Sequence, residues 1–463
     1  MRMPSLPARL AGGGRRQTER SNVSTMTGAM YAAIAGLRTH MQNLNVIGNN
    51  VANVNTASYK SSRAIFKTSL YTTMTGGSDG TPVMGGTNPS QIGYGSNVST
   101  IDIDMSTGNY NVTGKPTDCM LDGDGFFLVG DKEIANNFDG TANDVDRLTS
   151  LKLTRVGNFE FKADGYFANN DGNCVYGFLC VGKYGDENHP IKTGGANDPA
   201  NAIDLPEGKK IGDPIFSDQL VPLRYPCIKE GTKYFQKNAD GTLTESTAAD
   251  ALVDPTDPSK GVKDGFEAKK SKVIAYPTAD ASGVNDATIN TGTATDPVIE
   301  ALPRGLFNGI SIDKVTGMIT GSSNDTGEVV TIGCIAVGLV TNPNGVTNEG
   351  DNYYKAGPGS GDLRVAILGG NAEAMGITQI NASKYSVTDA NGNPDPNATV
   401  PVIDGLSPRT TETKCLSSGL EMSKTDLAQE IANMILTQRG YQANTRIITV
   451  TDSMLEELVN MKR

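Results

Sequence analysis

The stretch SKTDLAQEIANMILTQRGYQANTRIITVTDSMLEELVNMKR, Ser423 to Arg463, decides how this chain is organised. At helical period Leu427, Ile431, Met434 and Tyr441 form one apolar stripe, and Ala443, Ile447, Val450, Met454, Leu458 and Met461 form a second at spacings of three and four. That pattern predicts an amphipathic helix. Ser423 and Asp426 make a capping box, Asp426 and Glu430 sit at the positive end of the helix dipole, and Lys462 and Arg463 sit at the negative end. A helix over the whole stretch would be roughly 60 Å long, more than a compact domain usually contains. Ile448, Leu455 and Val459 lie off the second stripe and would be exposed if a single face were covered, so more than one neighbour is expected. A terminal helix lying across its own globular body is the ordinary alternative; the start of the chain argues against it.

There, Met30, Ile34, Leu37, Met41, Leu44, Gly48 and Val51 recur at spacings 4, 3, 4, 3, 4, 3, a heptad seam about three heptads long. Gly48 leaves a gap in it where another backbone could approach closely. Asn45, Asn49, Asn50, Asn53 and Asn55 load the end of this helix with poor helix formers that carry donors and acceptors. Such a conflict between propensity and period is expected where side-chain amides serve packed interfaces. A frayed helix end running into a loop is the bland alternative.

A chain of 463 residues predicts about three domains, and 37% apolar with 20% charged content is enough for folded cores. Glycine is abundant at 54 residues and tryptophan is absent, which points to many turns joining short strands. The net charge of −11 argues against a nucleic-acid partner, the more so because five arginines against one glutamate in residues 1–25 leave the remainder still more acidic. Cys119, Cys174, Cys180, Cys227, Cys334 and Cys415 are scattered without a C-x-x-C, and the two histidines, His40 and His189, are far apart, so neither a zinc site nor a disulfide framework is signalled. These thiols read as small buried apolar groups. No run of about 18 apolar residues occurs, so no membrane insertion is expected.

Residues 1–25 are rich in Arg, Pro and Gly, lack the apolar core of a secretory signal, and read as a disordered extension ahead of a natural start at Met26 or Met30. The N-terminal helix is expected over 26–56 and an extended Gly, Thr and Pro rich connector over 57–95. Alternating short strands then predict a β domain in two pieces, 96–182 and 303–375. Within it Phe159, Phe161, Tyr166 and Phe167 flank Asp164-Gly165, a hairpin signal. Asp122-Gly-Asp124-Gly reads as a tight turn, since it lacks the remaining ligands of a calcium loop. The polar stretch 183–302 reads as an inserted, outer β-rich domain, 376–422 as a second connector, and 423–463 as the C-terminal helix. The expected fold is therefore α+β, mainly β, with long terminal helices pairing as an antiparallel coiled coil.

MTGAMYAAIAGLRTHMQNLNVIGNNVANVNTASYKSSRAIF, from Met26, resembles the N-terminal signature of bacterial flagellar axial proteins, the rod and hook subunits. GLEMSKTDLAQEIANMILTQRGYQANTRIITVTDSMLEELVNMKR, from Gly419, resembles their C-terminal signature. Between them GDGFFLVGD (from Gly123), LTRVGNFEFKADGYFANNDGNCVYGF (from Leu153) and IAVGLVTNPNGVTNEGDNYYKAGPGSGD (from Ile335) look like further segments of the hook branch. The resemblance covers roughly half of the chain and leaves out residues 1–25 and the central insertion. It implies a structural subunit of the hook, a homo-polymer in which terminal helices line a tube and which transmits torque as a universal joint. It also implies contacts with rod, hook-cap and hook–filament junction proteins, passage through the flagellar export apparatus without a cleaved signal, and an extracellular place on the flagellum. The seam and stripe residues above, together with Asn49, Asn50, Asn53 and Gln438, are the expected assembly interface. No catalytic residue, cofactor or metal is expected. A distal rod subunit is the alternative within the same class, and an extracellular enzyme or adhesin carried by the insertion is the alternative outside it. With His189 alone and no Ser-His-Asp or zinc-protease pattern, the insertion offers no recognisable catalytic set.

Overall fold

A computed structural model of the chain describes residues 13–132, 150–192, 209–237, 243–246, 263–290, 299–368, 409–410 and 413–461, with 203 and 205, apart from positions 81, 83, 187, 188, 265, 281, 282 and 362. The fold is mainly β with a long helix at each end, and it divides into two compact units. The first takes the residues up to Asp104 together with those from Ser423 onward; the second is Met105–Met422.

In the first unit α1 spans Gly13–Ala52 and α2 spans Leu427–Asn460. The helix therefore starts well inside the stretch 1–25 that composition marks as disordered. No proline follows Pro7 in that stretch, and once a packed segment has nucleated a helix, each further residue adds a hydrogen bond at little cost. Met26 and Met30 lie within the helix, while residues 1–12 fall outside the described ones. The start of α2 also differs from the expected one. Asp426, not Ser423, is the N-cap: its carboxylate accepts the N–H groups of Ala428 at 3.0 Å and Gln429 at 3.3 Å. Ser423 Oγ instead accepts the Thr425 N–H. The helix is 34 residues long, hence about 50 Å rather than 60 Å.

The region expected as an extended connector is paired strand. β1 (Ser62–Thr68) runs antiparallel to β4 (Ser96–Ile103), with a bulge between Ile65 and Phe66, and β2 (Tyr71–Thr75) pairs with β3 (Ser90–Gly93). Threonine, tyrosine and isoleucine in these runs favour a pleated backbone in spite of the glycines between them. Since β1 holds β4, residues 96–104 belong with the terminal helices and not with the β domain that follows.

The second unit begins with β5 (Tyr110–Val112), β6 (Cys119–Asp122) and β7 (Phe126–Gly130), followed by β8 (Lys152–Thr154), β9 (Glu160–Phe161), β10 (Phe167–Ala168), β11 (Cys174–Lys183) and β12 (Pro214–Pro222). Among the described residues thirteen strands form its main sheet. There β11 lies beside β12 on one side and Val329–Val340 on the other, so nine of its ten residues are buried. Asp164-Gly165 makes the expected turn: Gly165 has φ +77°, and the Lys162 N–H reaches the Tyr166 carbonyl at 2.9 Å. Phe127, Phe159 and Phe167 stack edge to face or tilted at centroid distances of 5.0 and 5.4 Å, and Phe161 lies flat on Tyr225 at 4.0 Å.

That last contact marks a difference from the expected insertion. Tyr225, with Val221, Leu223 and Val284, belongs to the same buried core as Phe127 and Ile335, and β12 is hydrogen-bonded along β11. Part of the stretch expected as a separate outer domain thus shares the main core, while Cys227–Lys237, Leu243–Ser246 and Phe266–Ala275 form a three-stranded sheet of their own. Arg224, almost fully buried, is neutralised by Asp286 at 2.6 Å, which also holds Arg304 at 2.7 Å. The second expected connector lies outside the described residues up to 408. Beyond it, Lys414–Ser417 pairs with β6 and Gly419–Glu421 with β5, so the late chain is strand as well. All six cysteines are free and buried.

Candidate assembly interface

Small and polar side chains tie the two terminal helices together, and Ile47, 4% exposed, lies on the same face of α1 as Gly36, His40, Asn43 and Asn50. Asn43 Nδ2 donates to Thr437 Oγ1 at 2.9 Å and Asn50 Nδ2 to Glu430 Oε1 at 3.3 Å. Gly36 and Asn444 approach so closely that a methyl group on Gly36 would come within 2.7 Å of the amide, and one on Gly440 would come within 2.7 Å of the His40 ring. Positions rise along α1 as they fall along α2, so the helices run antiparallel. The other side of α1 rests on the β1–β4 pair: Thr39 Oγ1 donates to the Ser96 carbonyl at 2.8 Å, and His40 meets Phe66 edge-on at 6.2 Å.

Asn50 is the hub of this unit, 1% exposed. Its Nδ2 also donates to the Ser62 carbonyl at 2.8 Å, while its Oδ1 accepts the Ser62 N–H at 2.9 Å and the Tyr59 hydroxyl at 3.1 Å. Asn49 Nδ2 reaches the same hydroxyl, and Asn53 hydrogen-bonds back to Asn49. The amides that spoil helix propensity thus tie the end of α1 to β1 and to the start of α2. Burial pushes the Glu430 carboxyl up, against the Asn50 hydrogen bond that pulls it down, and Asp426 adds to the rise. Burial likewise raises the Tyr59 hydroxyl, with Glu430 contributing.

The contact seam of α1 is displaced from the expected one. Gly36, His40, Asn43 and Asn50 meet α2, each one residue before Leu37, Met41, Leu44 and Val51, a rotation of about 100°. Met30, Ile34, Leu37, Leu44, Gly48 and Val51 are only half-buried, and Met41 is exposed. A methyl group on Gly48 would meet nothing within 4 Å, so the close approach falls at Gly36 and Gly440 instead.

On α2 the reversal is sharper. Thr437 and Thr451 are its buried residues, at 6% and 8% exposure, whereas Ile447, Val450 and Met454 are 43%, 57% and 48% exposed. Leu427, Ile431, Gln438, Tyr441, Ala443, Leu458 and Met461 are exposed too, and Met434 is half-buried. Ile448 and Leu455, expected off the covered face, are half-buried, while Val459 is exposed as expected. The seam residues that the apolar period missed are Gly36, His40, Asn43, Thr437, Gly440 and Asn444. Their signal was present as small or polar residues at spacings of three and four. A helix that buries threonine and leaves Leu436 and Val450 in water presents an unsatisfied apolar surface.

Among the described residues no three His, Cys, Asp or Glu side chains gather where an ion could be held, and no helix is long and apolar enough to cross a membrane. Residues 416–461 match the family described as flagellar basal body rod FlgEFG protein C-terminal, and residues 30–60 match the flagella basal body rod protein family. The two matched segments contain most of the helix pair. The flagellar hook protein FlgE of Borreliella burgdorferi is 26% identical over 94% of this chain and 100% of its own. The flagellar basal-body rod protein FlgG of Bacillus subtilis is 26% identical over 95% of this chain and 100% of its own. The FlgE of Salmonella typhimurium is 24% identical over 93% of this chain and 99% of its own. With a family match at each end and hook-protein similarity along nearly the whole length between, this chain belongs to the flagellar rod and hook protein family.

Proposed function

We infer that this chain is a structural subunit of the flagellar hook, which polymerises into a flexible tube through its terminal helices. One observation carries the reading: α2 buries Thr437 and Thr451 and leaves Leu436, Ile447, Val450 and Met454 exposed. Each such side chain covered by another copy would contribute about 1.5–3 kcal/mol, so a few per subunit suffice for a stable polymer. The helix pair acts as an antiparallel coiled coil whose outer stripe, Leu427 to Met461, is the copy-to-copy surface, and the more polar strand-built parts make wetter contacts that slide as the tube curves. Its partners are further copies, the rod, the hook cap and the hook–filament junction proteins. The chain reaches this extracellular position through the flagellar export apparatus.

The test is a chain ending at Met422, which keeps the second unit whole and removes α2. Electron microscopy should show soluble particles and no tubes; tubes formed by that chain would overturn the reading. A rod subunit is the second reading, because the rod relative is as similar as the first hook relative, 26% in each case. Cells lacking the gene separate the two: complete rods without hooks support the hook, and truncated rods support the alternative.

A further inference from the structure

The outward stripe of α2 winds around the helix and falls into two patches. Positions can be measured around the axis from the buried Thr437, at about 100° per residue. Leu427, Ile431 and Ile435, all exposed, then lie on one flank at about 80° to 160°. Ile447, Val450 and Met454, equally exposed, lie on the other flank at about 80° to 140° in the opposite sense. Arg439 is exposed and stands on the outer side, between the two flanks. Together the patches take up about 200° of the cylinder, roughly twice the arc that one neighbouring helix covers. They also sit at different heights, the second centred about 20 residues, or roughly 30 Å, beyond the first. One straight neighbour therefore covers one patch and leaves the other in water.

We propose that the first patch of one copy, Leu427, Ile431 and Ile435, docks on the second patch of the next, Ile447, Val450 and Met454. This rests on the self-assembly reading and says which surfaces meet. The patches match in size and spacing, three large aliphatic or thioether side chains over about two turns each, but they are different surfaces. Contact between them is heterologous, so each copy keeps one free patch and the series stays open, as a tube requires. Repeating that contact by a screw operation keeps successive α2 helices pointing the same way. The two helices then lie parallel, displaced by about 20 residues. At this displacement Arg439 of the copy that lends its first patch falls about two residues, or about 3 Å along the axis, from Glu457 of the other. Both side chains are exposed, both stand on the outer rim of the contact, and among the described residues neither has an ion-pair partner within its own chain. A rim charge pair of this kind fixes alignment more than it adds affinity.

The test is complementation between full-length variants. Leu427→Ser with Ile431→Ser removes the first patch, and Val450→Ser with Met454→Ser removes the second. Each variant alone should sediment as a monomer, whereas an equal mixture should give a one-to-one dimer that does not extend. Dimers formed by either variant alone would mean that like patches pair, and a mixture that stays monomeric would mean that these patches do not meet; either result overturns the docking. The substituted side chains are exposed in the single chain, so the far-ultraviolet helix signal should not change; where it falls, Ile431→Ala and Val450→Ala replace the serine variants. Arg439→Glu should raise the critical concentration for polymerisation by about fivefold, and adding Glu457→Arg should restore it. A double variant no better than the single one overturns the alignment. A native chain that forms no polymer sinks the self-assembly reading and the docking with it, while a native chain that polymerises although the mixed variants stay apart sinks the docking alone.

Discussion

Asn43 and Thr437, 394 positions apart in the sequence, share a hydrogen bond of 2.9 Å that joins the two ends of the chain. Their contact is small beside the network around Asn50, and substitution should rank them. Thr437→Val keeps the shape and removes the bond from Asn43 together with the hydroxyl's own bond to the Asn433 carbonyl, an acceptor that the helix already uses, so it should cost about 0.5–1.5 kcal/mol. Asn50→Ala takes the side-chain partner from the Ser62 N–H and the Ser62 carbonyl, and leaves the Tyr59 hydroxyl only its bond from Asn49, so it should cost about 1–3 kcal/mol for each group left buried and unpaired. Urea denaturation followed by helix signal measures both, and an Asn50→Ala loss no larger than that of Thr437→Val would contradict the hub role.

Glycine substitutions should separate the covered faces of α1 and α2 from the open one. Gly48→Ala meets nothing within 4 Å and should stabilise the isolated chain by about 0.5–1 kcal/mol through helix propensity. Gly440→Ala puts a methyl group against the His40 ring and should lose that gain or reverse it. Melting temperatures of the two variants check the order.

Stability should depend on pH at Glu430. Burial raises its carboxyl above the ordinary value of 4.5, so the folded chain holds this proton more tightly than the unfolded one. The group's contribution is then most favourable below the unfolded value and is lost as pH rises through the folded value. Glu430→Gln should flatten that part of the profile, measured as unfolding midpoint against pH from acid to neutral; an unchanged slope would contradict it.

Asp286 should be less replaceable than any surface carboxylate. Its two oxygens hold Arg224 and Arg304, and Arg224 is 4% exposed. Asp286→Ala strands a buried guanidinium and should cost about 3–5 kcal/mol, read as a loss of cooperative unfolding in the second unit. A loss below 1 kcal/mol would mean that the arginines find other acceptors.

The sequence made some of this legible and concealed the rest for physical reasons. Helical period announced both terminal helices, and Asp164-Gly165 announced its hairpin, because those signals are local. The seam escaped because apolar period is read as the covered face, and here the face covered within one chain mixes Gly36, Asn43, Thr437 and Asn444 with the buried Ile47, while Val450 and Met454 remain outside. The asparagines near position 50 looked like a fraying end, since propensity counts a residue's effect on its own helix and not its bonds to Ser62 and Tyr59. The continuity of the second unit was equally hidden: Arg224 meets Asp286, and Tyr225 meets Phe161, across stretches whose glycine, asparagine and aspartate content resembles that of loops.

The account stands or falls on whether the outward stripe of α2 is covered by other copies. Val450→Cys places a thiol where the side chain is 57% exposed in the single chain, and its rate of reaction with a maleimide can be followed before and after polymerisation. Reaction should be fast in the soluble chain and slowed by about tenfold or more in the polymer, as burial of that face requires. Equal rates in the two states would place the copy-to-copy surface elsewhere and contradict the account.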